Sequence, residues 1–491
     1  MTRDQSEGIP APAGEESYSI AARLNRLPII RPHQLAVLFI GLGLFFDIYE
    51  VFLAGVLSGV FEKDFGMGSN AIKAVLASAF AGQFVGAILF GRLADRLGRR
   101  RAFLLNLAIY SVFSFIGGLA PNAGILVAAR FIAGMGLGAE LALADTYLSD
   151  LLPAKSRGRY IAWAYTVGFL GVPAAGFLAR WLVPLAPLGV AGWRWMFFLG
   201  ALGAFLVWWL RRRLPESPRW LEAVGRAAEA ETLVASWEDA ARAAGAVLPP
   251  PQDEQPIPQD RLSLRTLFEG GYMKRTVMLW IMNALEVFGY YGFGSLATLV
   301  LLDKGYSIVT SLTFVSFTFI GYPIGSALSL PIIERVERKT LITASALAMG
   351  VFGLLFGYAS GAGWIVAWGF LFTMTSNIFS NAFHVYLAEV YPTALRATAA
   401  GAAYSISRLV TALLPYILIP VLDHWGGGAV YIIVAIALVL LAINVTVLGP
   451  RTTGLALETA APATTEARLD DPEPQRAASG LRGGRRRRVH S

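Results

Sequence analysis

The chain has no cysteine and only four histidines in 491 residues, and 15% of its residues are charged. The first absence removes disulfides, thiol nucleophiles and thiolate metal sites. The histidines, His33, His384, His424 and His490, keep no metal-binding spacing, so neither a metal nor another cofactor is expected. No paired-carboxylate or histidine cluster marks a reaction centre, which argues against an enzyme. The first 33 residues are polar and contain proline, so no cleavable signal peptide is read there. The shortage of charge excludes most: a soluble domain carries about 25% charged residues.

What fills the chain is apolar. Mean hydropathy is +0.56, and 55% of residues are hydrophobic. Runs long enough to cross a bilayer, about 20 residues, recur at 34–60, 71–91, 102–120, 123–149, 159–183, 193–211, 276–301, 309–333, 340–360, 363–388, 399–422 and 429–449. In lipid every backbone polar group must be satisfied within its segment, so these twelve spans are expected to be helices. They are numbered 1 to 12 below. The expected class is an all-α integral membrane protein whose first partner is the lipid bilayer. Nucleic acid is not expected, because the net charge of +8 follows the loops. A monomer is expected.

Lys and Arg alternate between loops. One set holds Arg23, Arg26 and Arg31, the Arg92–Arg101 cluster, Lys155, Arg157 and Arg159, the run Arg211, Arg212 and Arg213, then Arg335, Arg338, Lys339 and Arg396. The other set holds little beyond Lys63, Lys73, Arg180, Arg194 and Lys304. The positive-inside bias then predicts an inner-membrane protein with both termini cytoplasmic.

The two halves repeat. "DRLGRR" at 95–100 returns as "ERVERK" at 334–339, and "DLLPAKSR" at 150–157 returns as "EVYPTALR" at 389–396, both offset by 239. The same offset carries Asp47 to Glu286 and Asp145 to His384. Six spans plus six in one orientation predict parallel repeats related by an axis along the membrane normal. The expected organisation is a cytoplasmic tail 1–33, an N-terminal bundle 34–213, a cytoplasmic loop 214–275 with short amphipathic helices and a Pro-rich spacer, a C-terminal bundle 276–449, and a basic, disordered tail 450–491.

These residues resemble the major facilitator superfamily. Gly91, Asp95, Arg96, Gly98, Arg99 and Arg100 fit its GxxxDRxGRR loop signature, and Arg130, Gly134, Gly136 and Gly138 its RxxxGxGxG pattern. "WRWMF" at 193–197, "PESPRWL" at 215–221 and "EVYPTALR" are similar to its sugar-porter and metabolite:proton symporter branches. Span 7 reads "NALEVFGYYGFG" and span 10 "TSNIFSNAFHVYLAE", without the sugar porters' Gln-rich and Pro/Trp patterns. Two acids one turn apart in span 1, Asp47 and Glu50, resemble the aromatic-acid and carboxylate symporters. The resemblance implies two six-helix bundles rocking about a midplane pocket, lined by spans 1, 4, 7 and 10. It also implies a gate-locking network of arginines and acids at the cytoplasmic ends. That gate is expected to comprise Gly91, Asp95, Arg96, Arg99, Arg100, Asp150 and Arg157, with Glu334, Arg335, Arg338, Glu389 and Arg396 in the second half; Gly91 is expected to allow close helix approach.

Charges inside a membrane are costly and point to function. Glu50 lies about 15 Å below the outer end of its span and Arg130 about 12 Å, so they can meet. A Glu beside an Arg stays ionised and takes a proton when separated from it. Asp47, Glu50 and Arg130 are therefore the proton-coupling candidates, with a permanent structural ion pair as the alternative. The substrate-binding candidates are Asn283, Glu286 and Tyr290 in span 7, Asn377, Asn381 and His384 in span 10, and Arg408 in span 11, at helical spacings. Arg408 suits a substrate carboxylate, unless it pairs with Glu389 or another helix. The expected activity is proton-coupled uptake of a small metabolite, a carboxylate or aromatic acid above others. A sugar porter or an exporter on the same fold is the nearest alternative, and a non-transporting nutrient sensor a different class.

Overall fold

A computed structural model describes residues 18–251, 267–268, 272–333, 335–391 and 393–452, without the side chains of Arg92, Asp95, Ala388 and residues 393–398. The Pro-rich spacer, the arginine-rich end and Glu334 lie outside the described residues. Every regular element among those described is a helix. Eleven stretches are long and apolar enough to cross a membrane. The last, Ala399–Leu448, has 50 residues, about 75 Å of helix and enough for two crossings. It turns at Gly426, whose φ of 75° and ψ of 176° suit glycine. Residues 393–425 and 427–448 are thus spans 11 and 12.

Most spans run from turn to turn. Span 1 is Arg31–Phe65, span 2 Ser69–Leu97, span 3 Arg99–Leu119, span 6 Gly192–Arg211, span 7 Tyr272–Asp303, span 9 Arg338–Tyr358 and span 10 Ala362–Glu389. Span 4 is split into Ala123–Leu137 and Glu140–Leu151, span 5 into Ala154–Phe169 and Gly171–Leu182, and span 8 into Ile308–Phe319 and Gly321–Ile333. Two of these breaks have a covalent cause. Phe169 and Phe319 stand four residues before Pro173 and Pro323, and a proline offers no N–H to the carbonyl four positions back.

The duplication reappears in the helix starts. Ser69, Arg99, Ala123 and Ala154 open helices in the first half, and Ile308, Arg338, Ala362 and Thr393 in the second, each pair 239 positions apart. Packing repeats with the same offset. A Cβ on Gly82 or Gly86 would collide with the carbonyl oxygens of Phe131 and Met135, and one on Gly321 or Gly325 with those of Phe370 and Met374. Spans 2 and 4, and again 8 and 10, therefore meet backbone to backbone, as small residues permit in membranes. Gly134, Gly136 and Gly138 lie equally close to Ala79, Asn106 and Gln83.

Gly91 behaves differently from the expectation. A Cβ there would meet nothing within 4 Å among the described residues, so close approach falls to Gly86 and Gly82, about one and a half and two and a half turns deeper.

Spans 1 and 7, 2 and 11, and 5 and 8 join the halves. Gly55 of span 1 sits against the backbone of Gly294 and Ser295, Gly176 against Ser316, and Ser69 Oγ donates to Asp423 Oδ2 at 2.7 Å. These contacts gather away from the arginine-rich turns.

The segment expected to be a tail is built in from residue 18. Ser19 caps the short helix Ile20–Asn25 by accepting from the Ala22 N–H. That helix lies on Ala227–Ala243, the amphipathic helix of the central loop. Arg23 and Arg26 both donate to Glu238, at 2.7 and 2.6 Å. Burial pushes the Glu238 carboxyl up, but the two arginines outweigh it and hold it below the usual range. The contact is thus at full strength above the unfolded value, about 4.3, and weakens as pH falls through the lower folded one.

Two outcomes follow. Gly86→Ala should destabilise the fold by on the order of 1–3 kcal/mol and Gly91→Ala by less than about 0.5, read from denaturant unfolding in detergent. Trypsin at neutral pH should cut at Arg23 and Arg26 at least about ten-fold faster in Glu238→Gln, since neutral glutamine forms weaker hydrogen bonds to arginine.

Candidate functional site

A cavity opens where the halves meet. Span 1 contributes Asp47, Ile48, Val51 and Phe52, span 2 Gln83, and span 4 Leu137, Glu140 and Leu141. Tyr165 and Phe169 come from span 5, Glu286, Tyr290 and Tyr291 from span 7, Ser380, Phe383 and His384 from span 10, and Tyr404, Ser407 and Arg408 from span 11. Its free volume of about 80 Å³ holds on the order of six waters. As liquid those fill roughly 180 Å³, room for one small organic molecule. The break in span 4 at Gly138 and Ala139 lies beside this space and starts a new helix at Glu140.

The second-half wall carries one cation. Arg408 donates to the Tyr291 hydroxyl at 2.6 Å and its guanidinium stands 5.4 Å from that ring. Among the described residues no carboxylate lies within 4 Å of it. Glu389, the partner left open above, faces Arg338 at 3.4 Å. Glu286 accepts from Ser407 Oγ at 2.8 Å. His384 holds the Ser380 carbonyl through Nδ1 at 2.6 Å and lies 5.7 Å from the Tyr404 ring.

Glu286, Tyr290, His384 and Arg408 therefore line the cavity, as the spacing predicts. The three asparagines do not. Asn283 donates to the Leu279 carbonyl of its own helix at 2.8 Å. Asn377 donates to the Tyr322 carbonyl at 2.6 Å, and Asn381 to Ser329 Oγ at 2.6 Å. Their amide N–H groups take partners from span 7 itself and from span 8, while the side-chain oxygens of Asn283 and Asn377 have none among the described residues. This corrects their assignment as substrate ligands.

The first-half wall is acidic. Glu50 and Arg130 meet at 3.2 Å, each 2% exposed, and Ser114 Oγ donates to the second Glu50 oxygen at 3.1 Å. This pair sits inside the bundle, behind the cavity surface. Asp47, three residues earlier, reaches that surface.

A second buried pair escaped the sequence reading. The arginine run predicts a loop position for Arg211, yet it is buried and bonded to Glu140. It also donates to the Phe39 carbonyl at 3.3 Å and lies 4.6 Å over the Phe103 ring. Gly43 makes this possible, since a Cβ there would overlap the guanidinium. Its neighbours Arg212 and Arg213 do behave as surface residues. Gln83, Tyr165, Tyr291 and Ser407 are further lining residues that the spacing did not single out. Ser407 beside Arg408, and Tyr291 beside Tyr290, were the available signals.

The turns of the arginine-rich face hold equivalent pairs. Arg99 lies 4.0 Å from Asp150 and Arg338 3.4 Å from Glu389, and both partners shift by 239. Ser217 Oγ donates to Asp150 at 2.8 Å, the Arg100 N–H to Glu216 at 3.1 Å, and Arg157 to the Leu152 carbonyl at 3.4 Å. Arg96 and Arg335 are exposed. Asp95 and Arg396 carry no described side chain, and Glu334 lies outside the described residues.

A seam cavity between duplicated six-span halves is the architecture of a major-facilitator transporter. The chain matches the family model "Sugar (and other) transporter" over residues 38–463 and belongs to that family. It is a multi-pass membrane transporter, not an enzyme. It is 32% identical over 391 residues to YyaJ of Bacillus subtilis, named for metabolite transport, covering 79% of this chain and 86% of that one. It is 30% identical over 441 residues to the niacin transporter NiaP of Acinetobacter baylyi, covering 89% and 99%. The 4-hydroxybenzoate transporter PcaK of the same organism is 26% identical, covering 80% and 85%. In fold it is similar to the E. coli xylose transporter XylE in a partially occluded inward-open form, at TM-score 0.69 and 22% identity, covering 86% of this chain and 99% of that one.

Arg211→Met should strand Glu140 as an unpaired buried acid. A loss of about 3–5 kcal/mol is expected, against less than about 0.5 for Arg212→Met, measured by unfolding in detergent.

Proposed function

We propose that the chain is a proton-coupled symporter that imports a small carboxylate, a single-ring aromatic acid above others. In this reading it lies in the inner membrane as a monomer, with the arginine-rich face and both termini cytoplasmic. One observation carries the proposal: Arg408 is the only cation among the described lining residues, it stands in a cavity walled by aromatic rings, and no described carboxylate engages it. A carboxylate can bind the guanidinium bidentately while its ring packs among tyrosines and phenylalanines. Relatives named for niacin and 4-hydroxybenzoate support that size and chemistry. A sugar needs many amide and hydroxyl partners, and Asn283, Asn377 and Asn381 are engaged elsewhere.

Coupling is assigned to Glu50 and Arg130. Their pair stabilises the ionised Glu50, and a conformation that draws them apart in the dry bundle raises proton affinity. Asp47, one turn away and at the cavity surface, is the station between Glu50 and the substrate chamber. Residues 34–213 and 276–449 are the rocking lobes. The gate at the cytoplasmic ends comprises the pairs Arg99–Asp150 and Arg338–Glu389 together with Asp95, Arg96, Arg100, Arg157, Glu334, Arg335 and Arg396. Gly91 lies near the end of span 2 without close packing.

The test is radiolabelled uptake into proteoliposomes with an imposed pH gradient. Nicotinate, benzoate and xylose serve as substrates. Acid-driven accumulation of an aromatic acid is expected, and accumulation of xylose alone would overturn the carboxylate reading. Glu50→Gln should abolish uphill accumulation while counterflow exchange persists; unchanged accumulation would remove Glu50 from coupling. Arg408→Gln should weaken carboxylate binding about ten- to a hundred-fold, the range for losing a charged hydrogen bond.

A further inference from the structure

Three side chains on the first-half wall of the cavity carry buried polar atoms that lack a hydrogen-bond partner among the described residues. Both carboxylate oxygens of Asp47, one oxygen of Glu140 and the amide nitrogen of Gln83 make no hydrogen bond. The three residues are 4%, 1% and 3% exposed, and all three line the cavity. They come from spans 1, 4 and 2. Their positions are fixed by features already described. Gln83 follows Gly82, where span 2 lies on the span 4 backbone. Glu140 opens the second half of span 4 and is tied on its other oxygen to Arg211. Asp47 lies one turn from Gly43, the seat of that arginine.

Buried polar groups without partners are rare and call for an explanation. Here they share one cavity: two carboxylates and one amide line the same small space, and Asn106 stands beside Glu140 from within the bundle. Arg408 lies on the opposite wall, with tyrosine and phenylalanine rings between. We propose that this cluster is a hydroxyl-reading subsite, and that the transported acid is a hydroxylated one. The proposal rests on the carboxylate reading above. A hydroxyl serves two of the three residues together, because it donates its one proton to Asp47 or to Glu140 and accepts from Gln83 Nε2 at once. An aromatic hydroxy acid then spans the chamber, its carboxylate on Arg408 and its hydroxyl on the acidic wall. The ring between them is held by Phe52, Tyr165, Tyr290 and Phe383. Asp47 is in this sense a specificity residue as well as a neighbour of the Glu50 pair. A plain benzoate would leave both the Gln83 donor and the acid that the hydroxyl serves without that contact, which is how polar sites reject analogues that lack a hydroxyl.

The test compares equilibrium binding of benzoate, 3-hydroxybenzoate and 4-hydroxybenzoate to the full chain in nanodiscs, by calorimetry at one pH and without a gradient. One of the hydroxylated acids should bind at least about ten-fold tighter than benzoate. Asp47→Asn should bring that ratio down toward one, and Gln83→Leu should reduce it as well. Arg408→Gln should weaken all three acids by a common factor and leave the ratio intact. Size-exclusion profiles and unfolding midpoints identify any variant that fails to fold, and Gln83→Leu decides the matter if Asp47→Asn is lost. Equal binding of the three acids by the native chain would overturn the inference while leaving the carboxylate reading standing. So would a ratio that survives both Asp47→Asn and Gln83→Leu. If none of the three binds, both readings fall together.

Discussion

An ionised group inside a helical bundle must be paired or neutralised, because the low-dielectric interior returns little of its lost hydration. In the first half of this transporter that constraint is met twice along one helix. Gly43, Asp47 and Glu50 follow at spacings of four and three on span 1, so they share a face. Gly43 yields its side-chain space to Arg211, which holds Glu140. Glu50 holds Arg130. Asp47 stands between the two pairs and faces the cavity. Spans 3, 4 and 6 are thereby drawn onto span 1 by charge as well as by packing.

The second half repeats the backbone without repeating this chemistry. The glycine contacts of span 2 on span 4 return in span 8 on span 10 at the same offset, as do the helix starts and the outer ion pairs of the arginine-rich turns. The interior positions diverge. Arg130 corresponds to Gly369, and Asp145 to His384. Asp47 corresponds to Glu286, which accepts from a serine. Duplication preserved the surfaces along which helices approach and left the cavity walls different, one acidic and one carrying Arg408. That asymmetry suits the substrate proposed above, a molecule with two unlike ends.

The scaffold was legible in the sequence because its signals are long. Twelve apolar runs and an offset of 239 need no side-chain detail, and the meeting of Glu50 with Arg130 follows from helix rise alone. What escaped depends on side-chain reach or on local backbone chemistry. Arg211 sits in a run of three arginines, and nothing in the run shows that the first turns inward. The missing side chain at Gly43 is what admits it. Asn283, Asn377 and Asn381 fall at helical spacing on a polar stripe, but a stripe in a membrane faces either a cavity or another helix, and periodicity is the same for both. The order of residues 20–25 follows from Glu238, more than two hundred positions away. The interruptions in spans 5 and 8 were readable in principle from Pro173 and Pro323.

The cavity's charge balance bears on why an anion would enter with a proton. Its lining carries three carboxylates, on Asp47, Glu140 and Glu286, and one arginine. Arg211 compensates Glu140 from behind. Arg408, on the same span as the serine that binds Glu286, is the cation that acts on Glu286, while Arg211 is the one that acts on Asp47. A substrate carboxylate that takes Arg408 leaves Glu286 with less compensation than before. In a chamber of a few water volumes that excess negative charge cannot be screened as it would be in solvent. Protonation of a carboxylate is the least costly relief, since neutralising the group avoids the burial penalty altogether. In the proposed symport, the more tightly the halves close on the anion, the stronger that pull on the proton becomes, so closure and proton uptake would favour each other without any contact beyond those already in place.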